Sequence, residues 1–290
     1  MFQADVLEPA SLTLEKDGTI GFWDRNIRPR FDSSFVLGSY TGLSTDELSF
    51  GFYSALQDML LENGTDSLLF IAGKEKRYVP DGEVPFPADA GILSELGYRF
   101  GLDYIVSLEK MGYTVDAESK GLNCDMLLRL YDCRRGDVLD SAVYENDLTE
   151  ALLNDYVLTD YLKALTEERG AEYARRLKPY WETVERRIYN GGKVVKMGNV
   201  FYLRHNPEQA KKLWEAATRL SARQAIRGYI NLAWLYEMEG DFDTAYRMLQ
   251  NGITVANEKG LDNADTDYLK RYMKIIVERI DAHSLLEEQM

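Results

Sequence analysis

The sequence has no run of the roughly 20 apolar residues needed to span a bilayer, and it is poor in cysteine, histidine and positive charge. Each shortage removes a class of function. Two cysteines occur, Cys124 and Cys133, on a stretch that reads as one strand and its end. Their odd separation points them to opposite faces about 30 Å apart, so they do not form a disulfide and read as small buried apolar residues. The two histidines, His205 and His283, lie far apart with no cysteine or carboxylate at ligand spacing, which gives no zinc site. With 34 basic against 48 acidic residues the formal net charge is -14, a balance that repels phosphate backbones and anionic lipid heads. Nucleic acid is therefore excluded as an expected partner. The opening MFQADVLEPA has no basic region followed by an apolar stretch. Composition leaves two readings of location open, a cytoplasmic chain or one whose leader is absent from this sequence. Membrane attachment is expected only through an anchor that the sequence does not contain.

Catalytic signatures are lacking as well. Gly191-Gly192-Lys193 has a lysine but neither the four-residue spacer nor the following hydroxyl of a phosphate loop. Asp262-Asn263-Ala264-Asp265-Thr266-Asp267 puts alanine on a calcium-ligand position and has no closing glutamate; it reads as a helix cap before Tyr268. No nucleophile elbow is present, and nothing singles out a carboxylate pair. The 19 tyrosines fall mostly on helical or strand faces, where packing is their expected role. No cofactor and no metal are expected, and the chain reads as a non-enzyme.

What is present divides the chain in two. In the first half Thr19 to Trp23, Ser67 to Ile71 and Asp103 to Leu108 are short apolar runs that read as strands. Between them Ser44 and Glu47 form a capping box ahead of the stripe Leu48, Phe52, Ala55, Leu56, Met59, Leu60, closed by Gly64. The stretch from Gly73 to Pro87 reads as a loop, and Ile92, Leu93, Leu96 and Phe100 make a second stripe that ends at Gly101. Leu122 to Cys133 and Asp137 to Glu145 form a hairpin around Arg134-Arg135-Gly136. In its first strand Met126, Leu128 and Leu130 face one way, while Arg129 and Tyr131 face a side expected to be partly wet. Helical spacing returns over 149 to 178, and Tyr180 to Tyr189 reads as a final strand.

From Asn190 onward the spacing is helical throughout. In the segment NLAWLYEMEGDFDTAYRMLQNGITVAN, Ala233 and Ala245 face each other across a turn made by Glu239-Gly240-Asp241, flanked by Tyr236 and Phe242, with Gly252 beyond. Gly198, Phe201, Ala210 and Ala217 stand 35 residues before their counterparts, with His205 and Asn206 in place of the turn glycine and Pro207 opening the next helix. Two helices approach closely only where both carry small side chains, and aromatics fill the space beside them. The pattern resembles the tetratricopeptide repeat, whose period is about 34 residues. Residues 264 to 282 read as a closing helix. The resemblance implies peptide or protein binding on the surface of the first helices, here Asn199, Tyr202, Arg227, Ile230, Trp234 and Met238, with Trp234 the anchor. Packing of Trp234 against the first domain is the equal alternative.

GLDYIVSLEKMGYTVD followed by NCDMLLRLYDCRRGDVLDSAVYE is similar to the α/β domains of envelope lipoproteins of the curli-secretion and Tol types. Asp103-Tyr104-Ile105-Val106 and Asp132, Gly136, Asp137, Val138 and Leu139 carry that likeness. Together with LEPASLTL and the Pro179, Trp181, Val184, Arg187, Tyr189 pattern, the arrangement resembles a family of uncharacterised bacterial envelope lipoproteins. No lipid-acceptor cysteine stands before Phe2, so the location on the periplasmic side of the outer membrane is implied by the resemblance alone. The expected fold class is α+β, with a mixed sheet and packed helices over 1–189 and tetratricopeptide-like helices over 190–290. The expected function is non-catalytic binding of a protein or peptide, as scaffold or assembly factor. A hydrolase-like enzyme with a site between the domains, at Arg129 and Tyr131, and a cytoplasmic repeat adaptor are the alternatives.

Overall fold

The computed structural model describes residues 1–26, 43–62, 68–71, 84–116, 121–147 and 155–290. The chain is α+β and divides into two compact units, residues 10–178 and residues 1–9 with 179–290. Among the described residues no helix is long and apolar enough to cross a membrane.

In the unit of residues 10–178, a five-stranded sheet runs in the order β3-β2-β4-β5-β6, with β2 Ile20–Asp24, β3 Leu69–Ile71, β4 Tyr104–Asp116, β5 Gly121–Asp132 and β6 Asp137–Asp147. β2 pairs in parallel with β3 and β4, and the β4-β5-β6 meander is antiparallel. The parallel pairs follow from helices in the connections: α1 (Thr45–Glu62) lies between β2 and β3, and α2 (Ala90–Phe100) between β3 and β4. The capping box forms as expected, the Ser44 hydroxyl accepting from Glu47 N at 3.2 Å while Ser44 N donates to Glu47 Oε2 at 2.7 Å. Gly101 ends α2 in the left-handed region at φ 67°. Gly64 and Ser67 lie outside the described residues, as do most of the stretch from Gly73 to Pro87 and residues 149 to 154.

Both faces of this sheet carry a packed cluster. On one, Phe22, Val106, Leu108, Met126, Leu128 and Leu130 pack with Leu48, Phe52 and Leu56 of α1 and with Leu162, Tyr173 and Leu177 of α3 (Asp155–Leu177). Gly170 lets α3 come against the backbone of Phe52 and Leu56, where a side chain would collide. On the other, Trp23, Ile71, Ile105, Tyr131 and Cys133 pack with Leu93 of α2. The surface expected to be partly wet is dry at β5, where Arg129 and Tyr131 are both buried, and wet at β6, where Val143 is 63% exposed. The cysteines occupy opposite faces as free thiols, Cys124 in one core and Cys133 in the other.

The other unit joins a two-stranded antiparallel ribbon to five helices. β1 (Phe2–Glu8) pairs with β7 (Tyr180–Arg186) from Phe2↔Arg186 to Glu8↔Tyr180. The helices are α4 Lys193–Leu203, α5 Pro207–Ala217, α6 Ala222–Met238, α7 Phe242–Glu258 and α8 Ala264–Gln289. Residues 1–9 and 179–189, read from sequence as part of the α/β half, fall in this helical unit. Ala233 and Ala245 are fully buried in one cluster with Ile230, Phe242, Leu249, Leu269 and Tyr272. Small residues mark the close approaches: Gly198 lies against the Trp214 indole, and a Cβ on Gly228 would stand 2.8 Å from Trp214 O and 3.2 Å from Ala217 Cβ.

The turn geometry repeats after 35 residues. Asn206 N donates to Phe201 O, and Asp241 N to Tyr236 O, while the Asn206 and Asp241 side chains cap α5 and α7 by accepting from Gln209 N and Thr244 N. The residue before each cap is left-handed, His205 at φ 55° and Gly240 at φ 75°. Glycine takes that conformation freely, whereas any side chain with a Cβ is strained there by about 1–2 kcal/mol. Gly240→Ala is therefore expected to destabilise the chain by about 1–2 kcal/mol, and His205→Ala, where the strain already exists, by less than about 0.5 kcal/mol. Urea midpoints of the two variants check this contrast.

Candidate functional site

The surface of α4 and α6 expected to meet a partner is occupied by the chain's own extended segments. Just after β7, the Tyr189 main chain is held from both helices. Asn231 Oδ1 accepts from Tyr189 N at 3.0 Å, and Asn231 Nδ2 and Asn199 Nδ2 donate to Tyr189 O at 3.1 and 2.9 Å. Asn199 Oδ1 in turn accepts from Asn231 Nδ2 at 2.9 Å and from Trp214 Nε1 at 3.0 Å. A strand finds such partners in a neighbouring strand; here two carboxamides supply them, which satisfies a buried peptide that has no ladder to join.

Further along the same helices the contact is aromatic. The Phe2 ring of β1 stacks on Tyr202 at 4.9 Å between centroids and stands 6.2 Å from Trp234. Trp234 is 1% exposed, and its indole N–H donates to the Tyr202 hydroxyl at 3.0 Å. Burial raises the Tyr202 phenol above its ordinary pKa. Asn199 and Ile230 are also buried. Arg227 donates to Asp265 Oδ2 at 2.9 Å and sits over the Tyr189 ring at 5.5 Å. Its guanidinium also fills the space where a side chain on Gly191 would go, which explains that glycine without a phosphate loop. Met238 is half-buried.

Asn199, Tyr202, Arg227, Ile230 and Trp234 are thus brought together around β1 and the Tyr189 segment. Trp234 is covered by Phe2, a residue that sequence reading assigned to the other half of the chain.

One more group completes this surface. Glu237, 4% exposed, takes Arg186 of β7 at 2.8 Å on Oε1 and the Tyr272 hydroxyl of α8 at 2.5 Å on Oε2. Burial, then the Glu237 charge, push the Tyr272 phenol well above its ordinary pKa. Sequence reasoning missed Asn231 and Glu237. Their signal was a carboxamide and a carboxylate on positions of α6 that burial elsewhere reserves for Ala233, Trp234 and Leu235.

A second polar cluster lies on the α2 side of the five-stranded sheet. β4 and β5 slip register between Leu108 and Lys110, so Glu109 is an extra residue in β4. The bulge brings Met111, three residues on from Leu108, back to the core beneath α1 and α3, while alternation puts Glu109 on the opposite face from Leu108. There both carboxylate oxygens accept from Arg25 Nη1, at 2.8 and 3.0 Å, and Oε1 accepts also from the Tyr131 hydroxyl. The Tyr131 oxygen takes Ala88 N at 3.0 Å. Burial, and then Glu109, push the Tyr131 phenol up to about 12. Arg129 and Tyr131, named together from sequence as the alternative site, do share this face.

Residues 196–278, which run from α4 into α8, match the model of a domain of unknown function, DUF6340. No match was found among curated proteins. Among solved structures the chain is similar to the PelC dodecamer from Paraburkholderia phytofirmans, at 13% identity and a TM-score of 0.34, over 61% of this chain and 98% of that one. It is similar at the same 13% and 0.34 to the hypothetical protein CT253 from Chlamydia trachomatis, over 54% of this chain and 96% of that one.

Two outcomes follow from the buried groups. Arg186→Met strips Glu237 of its cation in a dry setting, and the loss is expected to be about 3–5 kcal/mol in chemical denaturation. Tyr131 has a folded pKa of about 12 against an ordinary 10.0. A raised folded pKa means that its stabilisation is complete below pH 10 and disappears as the pH climbs from 10 toward 12. Tyr131→Phe should cost about 1.5–3 kcal/mol at neutral pH, since a bond to a charged carboxylate is lost. It should also make the alkaline fall in urea midpoint shallower than in the wild type.

Proposed function

We propose that this is a non-catalytic binding protein whose helical unit takes an extended segment of a partner polypeptide on the surface now covered by β1. One observation carries the reading: Phe2 of an extended strand stacks on Tyr202 beside Trp234, on the helices that also hold the main chain of Tyr189 through Asn199 and Asn231. A surface that holds one extended segment by aromatic stacking and main-chain bonds has the chemistry to hold another of like pattern. β1 turns few large apolar groups to the helices, mainly Phe2 and Val6 with Ala4 between them. A partner strand with an aromatic in the Phe2 position would add to β7 in its place. The tetratricopeptide-like nature of α4 to α7 belongs to this proposal and is supported by the recurrence of the left-handed turn at His205 and Gly240. So does a role as scaffold or assembly factor at the cell envelope, which the sequence resemblance supports.

The probe is a labelled peptide with the sequence FQADVLE, titrated into the full chain and into Phe2→Ala. Phe2→Ala is expected to bind it saturably and at least about tenfold more tightly than the wild type, because the internal competitor has lost its ring. Tyr202→Ala added to Phe2→Ala should abolish that gain. Equal, unsaturable signals from both chains would overturn the proposal. Recovery of the native chain from the envelope fraction of fractionated cells supports the location, and recovery from the cytosol refutes it.

A further inference from the structure

Among the described residues, the α2 side of the five-stranded sheet carries two donors that make no hydrogen bond. Ser107 Oγ and Arg129 Nη1 are buried atoms without a hydrogen-bond partner. Ser107 is 0% exposed and Arg129 7%. They are direct register partners across β4 and β5, on the same face as Glu109 and Tyr131. The Glu109 carboxylate stands 3.8 Å from Arg129 Nη1, beyond hydrogen-bond reach, because Arg25 and Tyr131 already hold it. On the other side of Ser107, its register partner on β2 is Trp23, whose ring lies under the Arg25 guanidinium at 4.8 Å.

We propose that Ser107 and Arg129 bind the oxyanion of a small ligand, a carboxylate or phosphate group. A guanidinium has donors and no acceptor, so whatever meets Nη1 must accept, and a hydroxyl beside it can donate to the same atom. Arg129 Nη1 is cationic, and its carboxylate neighbour, Glu109, is bonded to Arg25 and Tyr131 instead. A guanidinium nitrogen favours an acceptor that brings negative charge, and it repels a metal cation. Leaving a guanidinium nitrogen buried and unbonded is costly, which makes the arrangement one that an oxyanion completes. The proposal is independent of the helical surface and does not rest on it.

The test uses the full chain, with inorganic phosphate and acetate as separate probes and chloride at matched ionic strength as the control. Thermal midpoint and titration calorimetry are the readouts. A saturable rise with phosphate, with acetate or with both, absent with chloride, is expected, and the stronger probe identifies the group. Ser107→Ala removes a buried hydroxyl that has no partner, so its ligand-free midpoint should equal or exceed the wild type while its oxyanion affinity falls about tenfold. Arg129→Lys, which keeps the charge and loses the planar fork, should weaken binding in the same sense. The proposal is overturned if neither oxyanion gives a saturable response, if chloride does as well, or if Ser107→Ala and Arg129→Lys bind as the wild type does.

Discussion

A buried peptide group must find hydrogen-bond partners, and in the helical unit that requirement falls on Tyr189. The chain leaves β7 at Arg186 and enters α4 at Lys193, and between them its backbone runs along α4 and α6 with no strand beside it. Asn199 of α4 and Asn231 of α6 meet the need, and Trp214 fixes the carboxamide of the first. With that segment seated, Arg186 is in reach of Glu237, and β7 gives β1 an edge on which Phe2 meets Tyr202. Ribbon and helices are thus one cooperative arrangement, in which removing Asn231 would leave Tyr189 N without its acceptor.

Two of the buried carboxylates, Glu237 and Glu109, show what complete and incomplete satisfaction look like. Glu237 has a guanidinium and a phenol on its two oxygens, all supplied by secondary-structure elements of the same unit. Such a pair specifies geometry more than it stabilises, since desolvating both ions offsets much of their attraction. Glu109 is as well provided, but its neighbours on β4 and β5 are not. In folded proteins orphaned polar atoms are rare enough that a facing pair of them invites a ligand as its explanation.

Most of the fold was legible because it is written in periodicity. The strands at 20–24 and 104–108, the capping box at Ser44, the hairpin at Arg134 to Gly136, the last strand from Tyr180 and the helices from 193 onward all follow from local spacing. Two things escaped for physical reasons. β1 alternates, but its partner lies far along the chain, so no local signal joins Phe2 to Arg186. The bulge at Glu109 is an insertion of one residue into a regular pattern, and an alternation that restarts out of phase looks, in sequence, like noise. The site residues were legible as a surface, since small and aromatic positions mark the approach of the helices, but the identity of what covers Trp234 was not, because coverage is a long-range fact. Arg129 and Tyr131 were correctly paired on one face, yet burial of that face depends on α2 and on the segment at Ala88, which strand alternation does not encode.

One consequence comes from the order in which β1 and β7 leave the ribosome. Their ladder brackets the whole of residues 10–178, so β1 is made first and its partner only after about 170 further residues, on the order of 10–30 seconds of synthesis. Through that interval a strand edge with phenylalanine and valine on one side stays open, while the sheet that follows it can already close on itself. The nascent chain therefore carries a waiting strand whose ladder closes only once β7 has been made.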